Sequence, residues 1–249
     1  MKSITPIFAL TLLLMIPGLA SAQRTAMEWL DAVDRNQVME SARYTSEMTV
    51  HLPSGQERSF KMKGHTVGDK YALVEYTAPA RDAGTRYLRR DDQMWIYFPR
   101  VDRTMLIQGH MLREGMQGSD MSYEDMTQST AWADQYTAEI TAETDSTVDI
   151  RLASKDMTVS YPFREISIDK TRGVATRVLN FDASQYPIKE IKVLEMRRIS
   201  DRWFPVSTEI RSHLTEDKWT RFNIIDIEFD VPYEESDFTK AALEKVGEF

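Results

Sequence analysis

The 249-residue chain contains no cysteine. Disulfides, thiolate nucleophiles and thiolate metal ligands are therefore excluded, and so is the acylated cysteine that anchors a bacterial lipoprotein. Histidine is scarce: His51, His65, His110 and His213 are dispersed, with no HExxH and no second ligand at a recognised spacing. No G-x-S-x-G elbow supplies a nucleophile, and no glycine-rich run opens a helix after a strand to cradle phosphate. Only ten glycines and nine prolines occur, and no Ser/Gly/Pro-rich linker divides the chain. Basic residues are in the minority, for a formal net charge of −8, which is unfavourable for nucleic acid or an anionic lipid surface.

Long apolar runs are missing too. "IFALTLLLMI" (7–16) is about half the roughly 20 residues that a membrane-spanning helix needs. With Lys2 before it, Pro17-Gly18 after it and the small residues "ASA" (20–22), it reads as a signal peptide at 1–22. The expected organisation is that leader and one domain at 23–249, exported and soluble, without a lipid anchor.

The domain opens on a helix. In "TAMEWLDAVDRNQVME" (25–40), Thr25 and Glu28 form a capping box, and Met27, Leu30, Val33 and Val38 follow at helical spacing. The period then changes to two. Tyr44, Met48, Val50 and Leu52 alternate with polar residues, "PSGQ" (53–56) turns the chain, and "RSFKMKGH" (58–65) returns it. Similar segments recur to residue 229, predicting about ten or eleven antiparallel strands, mostly with one polar face. "QMWIYF" (93–98) is apolar on both faces. A second helix is expected at "FTKAALEKV", capped by Ser236 or Asp237 and stopped at Gly247. The fold class is mainly β (α+β): a large antiparallel sheet with helices at both ends and an irregular, methionine-rich stretch over 108–135. Such helices can fill a solid core or cover the mouth of a curved, hollow sheet.

"GSDMSYEDM" (118–126) gathers Asp120, Glu124 and Asp125. Paired acids could serve glycoside chemistry, but a turn followed by Ser122 as N-cap, with acids in the first helical turn, accounts for every residue type there.

The stretch from Met94 to Met126 resembles the outer membrane lipoprotein-sorting protein family, relatives of the periplasmic carrier LolA and the receptor LolB. The resemblance is carried by Trp95, Tyr97 and Pro99 in a W-x-Y-x-P strand, the basic residues Arg100 and Arg103, and a G-S-D-x-S-Y-E-D signature. The signature is matched by Gly118, Ser119, Asp120, Ser122, Tyr123, Glu124 and Asp125; "AGTRYLR" (83–89) and "DFTKAAL" (237–243) also fit. It implies a strongly curved half-barrel covered by helices, with a periplasmic location and lipid binding without turnover. It further implies a lid or rim role for the 118–125 signature; with the dispersed histidines, neither a metal nor a cofactor is expected. Implied partners are a lipid or lipoprotein acyl chains, with an inner-membrane exporter or an outer-membrane receptor, and no nucleic acid. The alternative implied role is an accessory to a lipid exporter, or a stress sensor of the RseB type, using the same fold to bind protein.

Alternation within the strands then nominates a lining: Met48, Val50, Val74, Tyr76, Trp95, Tyr97, Ile166, Ile168, Ile191, Val193, Ile225 and Ile227. For the double-sided strand, Trp95 and Tyr97 are assigned to the hollow in preference to Met94, Ile96 and Phe98.

Overall fold

The capping box forms as its spacing predicts. Thr25 donates to Glu28 Oε2 through its backbone N–H at 2.7 Å and its hydroxyl at 3.1 Å, and the Glu28 N–H donates to Thr25 Oγ1 at 3.2 Å. Helix α1 (Ala26–Gln37) follows, burying Trp29, Leu30 and Val33 on one side. The structure, a computed structural model, describes residues 24–37, 39–127 and 131–245. The leader, Val38 and Gly247 lie outside them.

The strands form two consecutive meanders. The first comprises β1 (Ser41–His51), β2 (Glu57–Val67), β3 (Tyr71–Ala78), β4 (Arg86–Arg90), β5 (Gln93–Phe98) and β6 (Arg103–Ile107). The second comprises β7 (Tyr136–Glu143), β8 (Thr147–Ser154), β9 (Phe163–Asp169), β10 (Val174–Phe181), β11 (Pro187–Ile199), β12 (Arg202–Ser212) and β13 (Trp219–Phe229). They join by the antiparallel pairing of β1 with β13, making one 13-stranded sheet whose edges are β6 and β7. The sheet is not closed into a barrel. It has more strands than the sequence suggests. β7 escapes notice because "YTAEITAE" is rich in Ala and Glu, poor strand formers, and as an edge strand it leaves several positions exposed.

Because side chains alternate between faces, cross-strand register traces rows across the sheet. One inner row runs through Ile140, Ile150, Ile166, Val178, Ile191, Ile210, Thr220 and Val50. On the second meander this face is covered by α1 and by helix α3 (Trp132–Gln135), which contribute Trp29, Leu30, Val33 and Trp132 to a core with Val148, Ile150, Leu152, Ile166 and Ile168. On the first meander, Met48, Val50, Phe60, Met62, Val74, Tyr76, Met94 and Ile96 form a second core, covered by residues of the 108–127 segment. That segment has to travel from edge β6 to edge β7, so its path lies over the inner face. At Gly64 of β2 the backbone passes beneath the Tyr44 ring, which an added Cβ would approach to 2.8 Å. A glycine is needed there for packing alone.

The outer face of the first meander carries its own cluster. His65, Leu73, Leu88, Trp95 and Leu106 share a cross-strand row. Phe238 and Leu243 pack on this cluster. Helix α4 (Lys240–Glu244) is capped by Thr239, whose hydroxyl accepts from the Ala242 N–H at 3.0 Å, rather than by Ser236 or Asp237. The buried Arg86 holds its far end: it pairs with Glu75 at 2.8 Å and donates to the carbonyls of Leu243 and Lys245. A guanidinium satisfies the orphan carbonyls of a helix C-terminus and complements the helix dipole. His65 stacks on Tyr233 under this clasp, with ring centroids 4.3 Å apart.

Two outcomes are expected. Ile150→Ala, at a fully buried inner position, should cost about 2–5 kcal/mol in urea denaturation. Burial lowers the pKa of His65 to about 4, against an opposing pull from Asp237. The unfolded chain takes up that proton near pH 6.5 and the folded chain only near 4, so stability should fall as pH drops between these values. His65→Gln should flatten that part of the stability–pH curve, measured by denaturation midpoints from pH 7 to 4.5.

Candidate functional site

The acidic signature begins where the connection over the inner face tightens into 3-10 turns, at Gly109–Arg113 and Met116–Gly118. Gly118 sits at φ +75°, a left-handed conformation suited to glycine, and an added Cβ would meet the Arg58 guanidinium at 3.0 Å. Asp120 is buried. Its backbone N–H donates to Thr220 Oγ1 at 2.8 Å, and the Thr220 hydroxyl donates back to its carboxylate at 2.9 Å, with Lys218 3.4 Å away. Thr220 lies on β13, so this contact fixes the crossing segment to the middle of the sheet.

Helix α2 (Tyr123–Thr127) starts with a capping box. The Ser122 N–H donates to Asp125 Oδ2 at 2.7 Å, and the Asp125 N–H donates to Ser122 Oγ at 3.2 Å. Asp125 has a second task. It accepts from the Tyr161 hydroxyl at 2.7 Å and pairs with Lys189 on β11. Burial and the Asp125 charge push the Tyr161 phenol well above its ordinary range. Glu124 accepts from Ser160 Oγ, and Tyr123 packs over the inner core against Tyr87, with ring centroids 5.9 Å apart. Each signature acid is engaged in latching this segment to the sheet or to the loop after β8.

Beside the latch the inner face is not filled. A cavity of about 370 Å³ is lined by Val178, Ile191, Val193, Phe204, Pro205 and Thr208 of the sheet, with Met39 and Trp132, and at one end by Asp125, Tyr161, Arg164 and Asn180. It falls within the size range of small-molecule pockets and shares their mostly apolar lining with a few convergent polar groups. A second hollow of about 640 Å³ lies on the other side of the Asp125–Lys189–Tyr161 cluster. It is polar, with Arg113, Asp120, Glu124, Asp182 and Lys218 in its wall. Among the described residues no group of three or more His, Asp or Glu is placed to hold a metal ion.

Of the twelve residues nominated from alternation, Ile191 and Val193 line the cavity. Met48, Val50, Val74 and Tyr76 share its face but are packed under the crossing segment, and Ile166 and Ile168 are packed under α1. Trp95 and Tyr97 lie on the opposite face, against Phe238 and Leu243, while Met94 and Ile96 face inward. Both faces of β5 are covered, so its composition alone does not distinguish them. Ile225 is displaced by a bulge: Thr45 pairs with Asp226 and Ser46 with Ile224, leaving Ile225 unpaired and 57% exposed. Ile227 stays opposite Tyr44, partly exposed at that end of the strand pair.

Arg164, Asn180 and Lys189 were not nominated, although the sequence carried a signal. Each occupies the register of an apolar series: Arg164 with Ile166 and Ile168, Asn180 with Val178, and Lys189 with Ile191 and Val193. The three sit opposite one another on β9, β10 and β11, a polar row next to an apolar one.

A family model described as an uncharacterized protein matches residues 68–245. The chain belongs to this family. No curated protein matches it. Its fold is LolA-like. A DUF1329 family protein from Desulfovibrio piger superposes with TM-score 0.78 at 18% identity, over 88% of this chain and 97% of that one. An outer membrane lipoprotein-sorting protein domain from Vibrio parahaemolyticus gives 0.76 at 20% identity, over 88% and 98%. A LolA superfamily protein from Nitrosomonas europaea gives 0.74 at 15% identity, over 88% and 99%.

Asp125→Ala would remove the ion pair to Lys189, the Tyr161 hydrogen bond and the helix cap together. Hydrogen exchange over residues 116–127 should accelerate in this variant while the amides of β8 keep their protection. The cost should be about 1–3 kcal/mol, because one partner of a partly buried, hydrogen-bonded pair is left behind.

Proposed function

We propose that the protein is a periplasmic carrier that shelters an apolar chain of a lipid or lipoprotein in the inner-face cavity and does not transform it. The observation that carries this reading is the apolar hollow itself, left between α1 and the latched crossing segment on a face whose two cores are otherwise packed. The LolA-like fold supports a binding role for that face. A cargo chain entering the hollow gains about 0.8 kcal/mol for each methylene removed from water, so it can be held without a charged contact. Release then requires movement of the covering segment, which is held by a few polar latches and by Met116 and its apolar neighbours packed on the second core. The leader-like residues 1–22 fit export, and no helix among the described residues is long and apolar enough to cross a membrane. Handing cargo onward requires a second partner, an exporter in the inner membrane or a receptor in the outer one.

Val193 is half-buried at the cavity wall, so a polar group there should be tolerated by the fold. Protein purified from membranes should show lipid adducts in native mass spectrometry. Val193→Asp should lose them with its thermal midpoint within a few degrees of the parent. Adducts retained at parental occupancy in the variant would place the cargo elsewhere; none in either protein would remove the carrier reading.

A further inference from the structure

The polar end of the cavity is built differently from its walls. Arg164 is buried and lies among three aromatic rings, with its guanidinium carbon 5.1 Å from the Trp132 centroid and 5.2 Å from those of Tyr136 and Tyr161. Its Nε donates to the Tyr136 hydroxyl at 3.0 Å, and that hydroxyl donates to the Tyr161 carbonyl at 2.9 Å. The rings and the hydroxyl fix the guanidinium in place, and guanidinium keeps its charge at any physiological pH. Its cross-strand neighbour Asn180 is 1% exposed, and its Oδ1 is buried without a hydrogen bond among the described residues. A buried polar atom without a partner is unfavourable, and here it borders a hollow. One step along the same strands the lining turns apolar, at Val178 and Ile191.

A permanent cation, an amide whose oxygen lacks a partner among the described residues and a greasy wall within one small hollow match an amphiphile. We infer that the cavity takes a single-chain lipid with a carboxyl head, a long-chain fatty acid, with the head between Arg164 and Asn180 and the chain along Val178, Ile191, Val193 and Phe204. A carboxyl suits both partners. Its oxygens accept from the guanidinium, and the Asn180 amide presents Oδ1 to a carboxylic O–H or, turned over, its N–H to a carboxylate. The volume of about 370 Å³ lies at the low end of the usual range for ligand pockets, suited to one chain rather than the several of a phospholipid or lipoprotein. The inference rests on the carrier reading and narrows its cargo.

The test uses Trp132 in the cavity wall as the reporter. Tryptophan fluorescence of the purified chain at pH 8 is titrated with 9,10-dibromostearic acid, its methyl ester, and a two-chain phosphatidylglycerol carrying the same brominated chains. The acid should quench at concentrations at least about ten-fold below the ester, a preference equivalent to about 1.4 kcal/mol. Asn180→Asp, which sets a carboxylate against the head, should abolish that preference. Asn180→Leu, which keeps the volume and removes the amide, should reduce it. Equal binding of acid and ester, or an undiminished preference in both variants, overturns the head-group assignment while the carrier reading stands. Tighter binding of the two-chain lipid overturns the single-chain assignment. Absence of quenching by all three ligands defeats the carrier reading itself.

Discussion

An open antiparallel sheet of 13 strands has one apolar face to hide, and this chain has little helix with which to hide it. Most of the architecture follows from that shortage. Among the described residues, the one helix of any length, α1, covers the second meander, and the far shorter turns between β6 and β7 cover the first. Because β6 and β7 are opposite edges, the chain has to cross the mouth to connect them, and the crossing doubles as a cover. A covering element that is mostly turns has little core of its own. It is held by Met116 and neighbouring apolar side chains on the sheet's core and by polar contacts to the sheet and the loop after β8: Asp120 to Thr220, Asp125 to Lys189 and Tyr161, Glu124 to Ser160. Where the two covers fail to meet, a hollow is left.

In the proposed carrier, the polar end of the cavity and its apolar walls divide the labour of binding. Apolar burial is non-directional and sums over the length of a chain, which gives affinity with little discrimination. Directional groups at one end add selectivity, because a mismatched ligand leaves them unpaired. The cluster of Lys189, Asp125 and Tyr161 stands at the boundary of the two hollows, so movement of the crossing segment and the polarity of the cavity end depend on the same residues. The outer-face clasp is independent of both. Arg86, Glu75 and the C-terminal helix tighten the first meander from behind, where Trp95 and Tyr97 are buried.

Much of this was legible in the residues. The period-two segments place most of the thirteen strands, where about ten or eleven are expected, the Thr25–Glu28 capping box places α1, and Ser122 with Asp125 marks the cap of α2. What was not legible has physical causes. β7 dilutes Tyr136, Thr137, Ile140 and Thr141 with two alanines and two glutamates, as an edge strand with little to bury can. "QMWIYF" is apolar on both faces because both faces are covered, by different elements, so the direction of Trp95 could not be read from it. The bulge opposite Thr45 and Ser46 shifts the alternation of β13 by one, which turns Ile225 outward while Ile224 and Ile227 stay inward. Most inner-face apolar residues fill the core, and the hollow depends on where two separate covers end, a property no single strand encodes. The polar row of Arg164, Asn180 and Lys189 was the readable trace of the site, three interruptions at one register of three neighbouring strands.

The pairing of β1 with β13 has a consequence for how the molecule is made. Within each meander every strand bonds to its neighbour in sequence, so hairpins can close early and locally. The seam between the meanders joins residues near 45 to residues near 225, and loop closure over such a separation comes late. During vectorial synthesis the first meander would stand complete with the bonding edge of β1 unmatched until almost the whole chain has emerged. An unmatched edge invites intermolecular strand addition, so the interval before the seam closes is the stage at which this fold is most exposed to aggregation.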